Sequence, residues 1–118
     1  MSQRLSRGNT PHPHFHSAKY GYAGVADAVA RIGGRTLLVE YKTGGVYAEH
    51  RLQLAAYAFA EFIGLADGRE AVPPRIEGGL IVRVGFTGYG LSPISITGED
   101  FAAFLHALSL YRRLGRAA

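Results

Sequence analysis

No cysteine occurs among the 118 residues, which excludes disulfides, cysteine-ligated zinc and iron–sulfur clusters. No run of about 18 apolar residues is present, so no membrane-crossing helix is expected. Residues 1–9 are polar, carry Arg4 and Arg7 and lack an apolar signal-peptide core, which predicts a cytoplasmic protein. Internal repeats and long low-complexity segments are also missing. Acids are the scarcer charge: 9 Asp and Glu stand against 13 Lys and Arg, a formal +4 and a pI near 9.7. That balance favours a polyanionic partner, and a basic surface kept for solubility is the plainer alternative. With 47% hydrophobic and 19% charged residues, the composition fits one compact domain with a modest core.

The pattern along the chain predicts strands, a helix, more strands and a last helix, an α+β or α/β class with a mixed sheet. Residues 1–13 hold Pro11, Pro13, Ser, Arg and Gly without period and read as a flexible or extended arm; residues 14–118 form the single domain. A first strand is expected within 15–22. Residues 23–31 and 35–41 form a hairpin around the two-residue turn Gly33-Gly34. Gly44-Gly45 breaks the strand, and residues 49–63 place Leu52, Ala55, Ala56, Phe59, Phe62 and Ile63 at helical spacing. Pro73 and Pro74 mark a linker. Strands follow over 77–84 and 91–96, separated by Gly85, Gly88 and Gly90. The last helix, 99–114, opens on Glu99 and Asp100 and carries Phe101, Phe104, Leu105, Leu108 and Tyr111 as its buried stripe, with Arg112, Arg113 and Arg116 at its negative end.

With Gly33 and Gly34 central, residues whose numbers sum to 67 face each other, so Asp27 lies opposite Glu40 with Cβ atoms about 5 Å apart. Lys42 shares their face. Like charges directly opposite on a sheet are destabilising, and a divalent cation between them resolves the conflict. Hard cations take carboxylate and carbonyl oxygens, so Asp27, Glu40 and the backbone carbonyl of Tyr41 form a candidate Mg2+ or Mn2+ site. Such a cation polarises a phosphoryl oxygen and activates water, while the Lys42 ammonium orients that water or neutralises charge building on phosphorus. One helical turn separates Gln53 from Tyr57, placing an amide and a phenol at the edge of the site, suited to DNA contacts. The plainer reading makes Gln53 a cap on a sheet edge and Tyr57 a core aromatic. His12, His14 and His16 alternate along the arm and so share one side of an extended chain. Solvent-exposed histidines are the preferred reading there, with His16, nearest the sheet, as the exception.

Gly24-x-x-Asp27, then Glu40-Tyr41-Lys42-Thr43-Gly44, then Gln53-Leu54-Ala55-Ala56-Tyr57 resembles the motif series of the PD-(D/E)xK nuclease superfamily, in its RecB-type exonuclease branch of phages and mobile DNA. The motifs lie within residues 22–62, about a third of the chain, and residues 89–113 are similar to the tail of phage members. The resemblance implies a restriction-endonuclease-like core, a mixed sheet of about five strands flanked by two helices. It also implies a magnesium- or manganese-dependent DNA nuclease with Asp27 and Glu40 as metal ligands and Lys42 as the catalytic lysine. Members of the family usually open with a helix that covers the sheet and adds an acid or histidine to the metal site. Here no Asp or Glu precedes Asp27, so His16 or His14 is expected to stand in, and the chain is expected to be shortened at its N-terminus. The missing cysteines separate it from relatives that bind an iron–sulfur cluster.

Without a first helix, one sheet face would expose Val29 and Leu38, which predicts a homodimer or a partner chain over that face. The leading expectation is a metal-dependent exonuclease. A non-catalytic DNA-binding or assembly module on the same fold is the alternative, and a Holliday-junction-type resolvase, suggested by small size and dimerisation, is the third.

Overall fold

The Gly33-Gly34 pair sets the first register. In the computed structural model, which describes residues 3–4, 10–44, 48–65 and 67–117, both glycines have positive φ, 60° and 78°, as a two-residue type I′ turn requires. The strands they join, β5 (Ala28–Ile32) and β6 (Arg35–Lys42), pair Val29 with Leu38 and Ala28 with Val39, the expected register. Gly45, at the expected strand break, and the side chain of Arg116 lie outside the described residues.

Upstream, the chain departs from the expected single strands. β3 (His14–Ser17) and β4 (Tyr22–Val25) form a hairpin of their own, turned at Ala18 to Gly21, with Gly21 at φ 72°. The described part of the arm is extended and paired: β2 (Thr10–Pro11) runs antiparallel to β5, and β1 (Gln3–Arg4) lies parallel to β8 (Glu70–Val72). The pairing of β3 with β4 continues into that of β2 with β5. Across the gap, the Ala26 amide donates to the Pro13 carbonyl (3.1 Å) and the His12 amide to the Asp27 carbonyl (2.8 Å). One long antiparallel strip therefore bends at His12-Pro13 and Ala26-Asp27 and passes from one sheet into the other. His12, at φ 48°, takes part of the bend.

Among the described residues the result is an α+β fold with two mixed five-stranded sheets and two helices, one sheet more than expected. The first sheet has the order β1-β8-β7-β3-β4, where β7 is Phe62–Gly64. The second has the order β10-β9-β6-β5-β2, with β9 (Gly78–Gly85) parallel to β6 and β10 (Gly88–Ile94) antiparallel to β9. Helix α1 (Ala48–Ala58) stops well short of the expected residue 63. Phe62 and Ile63 pair instead with His16 and Phe15 of β3, and Ile63 is wholly buried. Five apolar-rich residues can serve either period, and here the unfilled edge of β3 decides.

Helix α1 packs on the face of the second sheet that carries Val29, Leu38 and Ile81, closing a core with Phe15, Leu54, Tyr57, Ala60, Ile63 and Ala71. Val29 and Leu38 are 2% and 0% exposed, so the expectation that they lie open for a partner is corrected. The helix that follows the hairpin, rather than one preceding it, covers them. The close approach depends on Gly79, where a Cβ would lie 2.7 Å from Leu54 Cδ1. Helix α2 (Gly98–Ala117) begins with a capping box in which the Asp100 amide donates to Thr97 Oγ1 (3.2 Å) and the Thr97 amide donates to Asp100 Oδ2 (3.0 Å). It rests against the first hairpin and the end of α1 through an aromatic cluster: Phe101 stacks on Phe59, the residue after α1, with ring centres 4.9 Å apart, and Phe104 meets Tyr22 of β4 edge-on at 5.0 Å. Of the expected stripe, Phe101, Phe104, Leu105 and Leu108 are half-buried while Tyr111 is exposed. Arg112 reaches back to donate to the carbonyls of Tyr20 (3.1 Å) and Gly21 (2.7 Å). Among the described residues no helix is long and apolar enough to cross a membrane.

Candidate active site at the bend between the sheets

Asp27 stands where the strip leaves the first sheet, one residue before β5 begins. The ladder of β5 with β6 ends at Ala28 and Val39, and beyond it side chains complete the pairing. The Asp27 amide donates to Glu40 Oε1 (3.1 Å), and the Tyr41 amide donates to Asp27 Oδ2 (2.8 Å). Each carboxylate thus caps the backbone beside the other, and the two carboxyl groups come within hydrogen-bonding reach. The placement follows from register, because Glu40, like Leu38, points to the face covered by α1.

Glu40 is 6% exposed. Burial raises its pKa above the ordinary carboxylate range and the neighbouring Asp27 charge raises it further, while the Asp27 amide and the Lys42 ammonium pull the other way. Burial wins. An acid pair of this kind is held together against its own repulsion, the condition that a bound cation relieves. Lys42 lies two residues along on the same face, half-buried, and its charge acts on Glu40. Across the parallel β6–β9 pairing, Lys42 is in register with Arg83. Both cations stand at the C-terminal ends of their strands, the end where open α/β sheets bind ligands.

Helix α1 brings the amide and the phenol. Gln53 Nε2 donates to the Tyr57 hydroxyl at 3.1 Å. Burial raises the Tyr57 pKa, the Gln53 contact opposes this, and the Glu40 and Asp27 charges raise it again, so the phenol sits within the field of the acid pair. Tyr57 is 7% exposed, its ring stacked on Phe15 at 5.5 Å and pressed against Gly24. A ring so enclosed offers no face on which a DNA base could stack. Gly24, in the Gly-x-x-Asp spacing, leaves the room that the ring needs, since a Cβ there would fall 2.6 Å from Tyr57 Cε1.

Asp27, Glu40, Lys42, Gln53 and Tyr57 therefore converge, and the carbonyl of Tyr41 follows directly on Glu40. The Tyr41 side chain points to the opposite face and is exposed. His16 is not brought to the site. It lies on the face of β3 opposite Phe15, stacks on Phe62 with ring centres 5.1 Å apart and places Nε2 3.3 Å from Glu70 Oε1. His14 shares that face. Among the described residues no three His, Cys, Asp or Glu side chains form a group able to hold a metal ion. Any cation here would rest on two carboxylates, with main-chain or water oxygens completing its shell. Arg83 carries no signal of its own in the sequence, because its place beside Lys42 depends on a parallel pairing between strands some forty residues apart.

No family model matches the chain, and no curated protein matches it. Among solved structures it is similar to one titled "Crystal structure of SSO0001", with a TM-score of 0.55 and 18% identity over 93% of this chain and 50% of that one. The chain thus spans about half the length of the solved protein that it matches. At this identity the likeness is one of fold alone.

Proposed function

We propose that the chain is a PD-(D/E)xK nuclease of the RecB-type exonuclease branch, with a restriction-endonuclease-like core, that hydrolyses phosphodiester bonds of DNA in the cytoplasm with Mg2+ or Mn2+. The observation that carries this reading is the reciprocal pairing of Asp27 and Glu40 with Lys42 on the same face. Each carboxylate uses one oxygen on a backbone amide, which fixes both groups and leaves each a second oxygen. Magnesium commonly binds through one or two carboxylates together with water and substrate phosphate, so the donor set fits. When bound, the cation supplies Lewis-acid polarisation of the phosphoryl oxygen and a more acidic water. Asp27 and Glu40 would hold it through their carboxylates. Lys42 places an ammonium beside the reacting phosphate, where negative charge builds in the transition state. Tyr57 and Gln53 support the acid pair from the core side.

End-labelled linear duplex and single-stranded DNA, incubated with Mg2+ or Mn2+ beside closed circular DNA, tests the reading. Metal-dependent loss of the linear substrates is expected, with Lys42→Ala slower by roughly 100- to 1000-fold, the usual effect of removing one transition-state stabiliser. Single-turnover cleavage by Lys42→Ala at the parent rate would refute its role. The lack of a third ligand among the described residues favours one second reading, a DNA-binding module without cleavage. It would bind DNA with a steep salt dependence and cut none of these substrates.

A further inference from the structure

The two faces of the second sheet differ in kind. Glu40, Lys42 and Arg83 share the face on which α1 packs, whereas Tyr41, Val82, Val84, Tyr89, Leu91 and Pro93 alternate with them or pair with those that do, and point the other way. Helix α2 packs on α1 and the first hairpin, so among the described residues neither helix lies over this second face. Along β5, β6, β9 and β10 its one charged residue is Arg35, beside the Gly33-Gly34 turn. Leu37 and Val39 are buried in its middle. Exposure is concentrated around them: Tyr89 is 75% exposed, and Ile32, Tyr41, Val84 and Leu91 between 44% and 57%. These five side chains leave roughly 400–500 Å² of largely apolar surface in water. A standard interface takes about 800 Å² from each partner, a little over half of it apolar, so the patch has the size that a stable dimer needs.

We propose that a second copy of the chain covers this face, in a dimer whose two second sheets pack face to face about a two-fold axis running along the row Leu91-Val82-Tyr41. Shape selects that occupant. A hollow of about 440 Å³ lies on the same face, lined by Ile32, Leu37, Leu80, Leu91 and Pro93. Tyr89, the most exposed of the five, stands on the other side of the Leu91 row, four residues and about 14 Å from Pro93 along β10. A half-turn about that row reverses the strands and sets Tyr89 of each copy over the hollow of the other. Such self-complementarity is what an isologous contact requires. Charge agrees: the rows brought together carry none, so two copies meet without repulsion, while a nucleic acid would find no cations there. The face is not that of Val29 and Leu38, and the inference does not depend on the nuclease reading. It leaves Asp27, Glu40, Lys42 and Arg83 on the opposite side of each sheet, away from the contact.

Sedimentation of the full chain at micromolar concentration tests this, with twice the 12.7 kDa chain mass expected. Leu91→Glu and Leu91→Lys each set like charges against one another across the axis, and each is expected to raise the dimer dissociation constant at least roughly 100-fold. An equimolar mixture of the two variants is expected to recover the dimer, because glutamate meets lysine only where position 91 of one copy faces position 91 of the other. Tyr89→Ala, which leaves the hollow unfilled, is expected to weaken the dimer roughly tenfold. Leu114→Glu, at an exposed apolar position of α2, is expected to leave the mass unchanged. A monomeric parent overturns the proposal and assigns the face to a different partner. A dimer that survives Leu91→Glu, or one that the mixture fails to restore, also overturns it. Dissociation by Leu114→Glu, with Leu91→Glu still dimeric, overturns it as well and places the contact on α2.

Discussion

Gly24→Ala is the substitution that joins the core to the site most directly. The new Cβ would lie 2.6 Å from Tyr57 Cε1, 3.0 Å from its hydroxyl oxygen and 3.2 Å from Cζ. Carbon atoms pack at about 3.5–4.0 Å, so the ring must retreat by roughly 1 Å. Phe15, stacked on it at 5.5 Å, blocks one direction, and the 3.1 Å contact with Gln53 holds the other end. Overpacking of a filled core costs about 1–3 kcal/mol. The backbone of Gly24 lies outside the left-handed region, so alanine recovers about 0.4–1 kcal/mol by restricting the unfolded chain. A net loss of about 1–2 kcal/mol remains, or about 4–16 °C in Tm for a domain near this size. Urea and thermal unfolding followed by circular dichroism measure it. The decisive comparison is Gly24→Ala in a Tyr57→Leu background, where the ring is gone. There the alanine is expected to be neutral or stabilising, a coupling of at least about 1 kcal/mol between the two sites. An equal loss in both backgrounds would show that the ring is not what excludes a side chain at position 24.

Glu40→Gln keeps an acceptor for the Asp27 amide and removes one of two opposed charges. A raised pKa in the folded protein means that stability is lost as pH rises from the unfolded carboxylate range through the folded value and stays lost above it. The parent should therefore gain stability on acidification through that window and Glu40→Gln should not, with the variant about 0.2–1 kcal/mol the more stable at pH 7 without metal. Adding Mg2+ or Mn2+ at tenfold its Kd should stabilise the parent by about 1.4 kcal/mol and leave the variant nearly unmoved, as calorimetry would show; an equal metal response would remove Glu40 from the cation site. Tyr22, whose hydroxyl donates to the Ala56 carbonyl at 2.6 Å, has its pKa pushed up to about 12, by burial first and then by the Glu61 charge. The parent should lose stability as pH rises from the ordinary tyrosine range to about 12. Tyr22→Phe should lack that loss and be about 1 kcal/mol less stable at neutral pH, and an unchanged alkaline slope in denaturant titrations would contradict the assignment.

Where local chemistry fixed geometry, the amino-acid sequence was readable. Two glycines at a two-residue turn allow one register, so Asp27, Glu40 and Lys42 fall together by counting outward from Gly33-Gly34. The period of residues 99–114 and the acids at its start marked α2. Short elements were not legible: β1, β2, β7 and β8 have two or three residues each, too few to show a period, and pairing partners alone define them. The turn at residues 18–21 has a single glycine and interrupts what otherwise reads as one strand. The face that α1 would choose was invisible too, because Val29 and Leu38 look equally suited to a partner chain or to the protein's own helix. The site was legible where it is local in sequence and obscure where it depends on the β6–β9 pairing, as it does at Arg83.

The bent strip that serves both sheets gives Asp27 two measuring sticks at once. Counted from the turn at residues 18–21 it must arrive at the bend, and counted from Gly33-Gly34 it must arrive opposite Glu40. One residue added or removed between those turns would satisfy one count and break the other, sending the carboxylate to the wrong side of the sheet. Variation in length should therefore be confined to the turns themselves, where added residues leave both counts intact, and the eleven residues from Tyr22 to Ile32 should behave as a segment of fixed length.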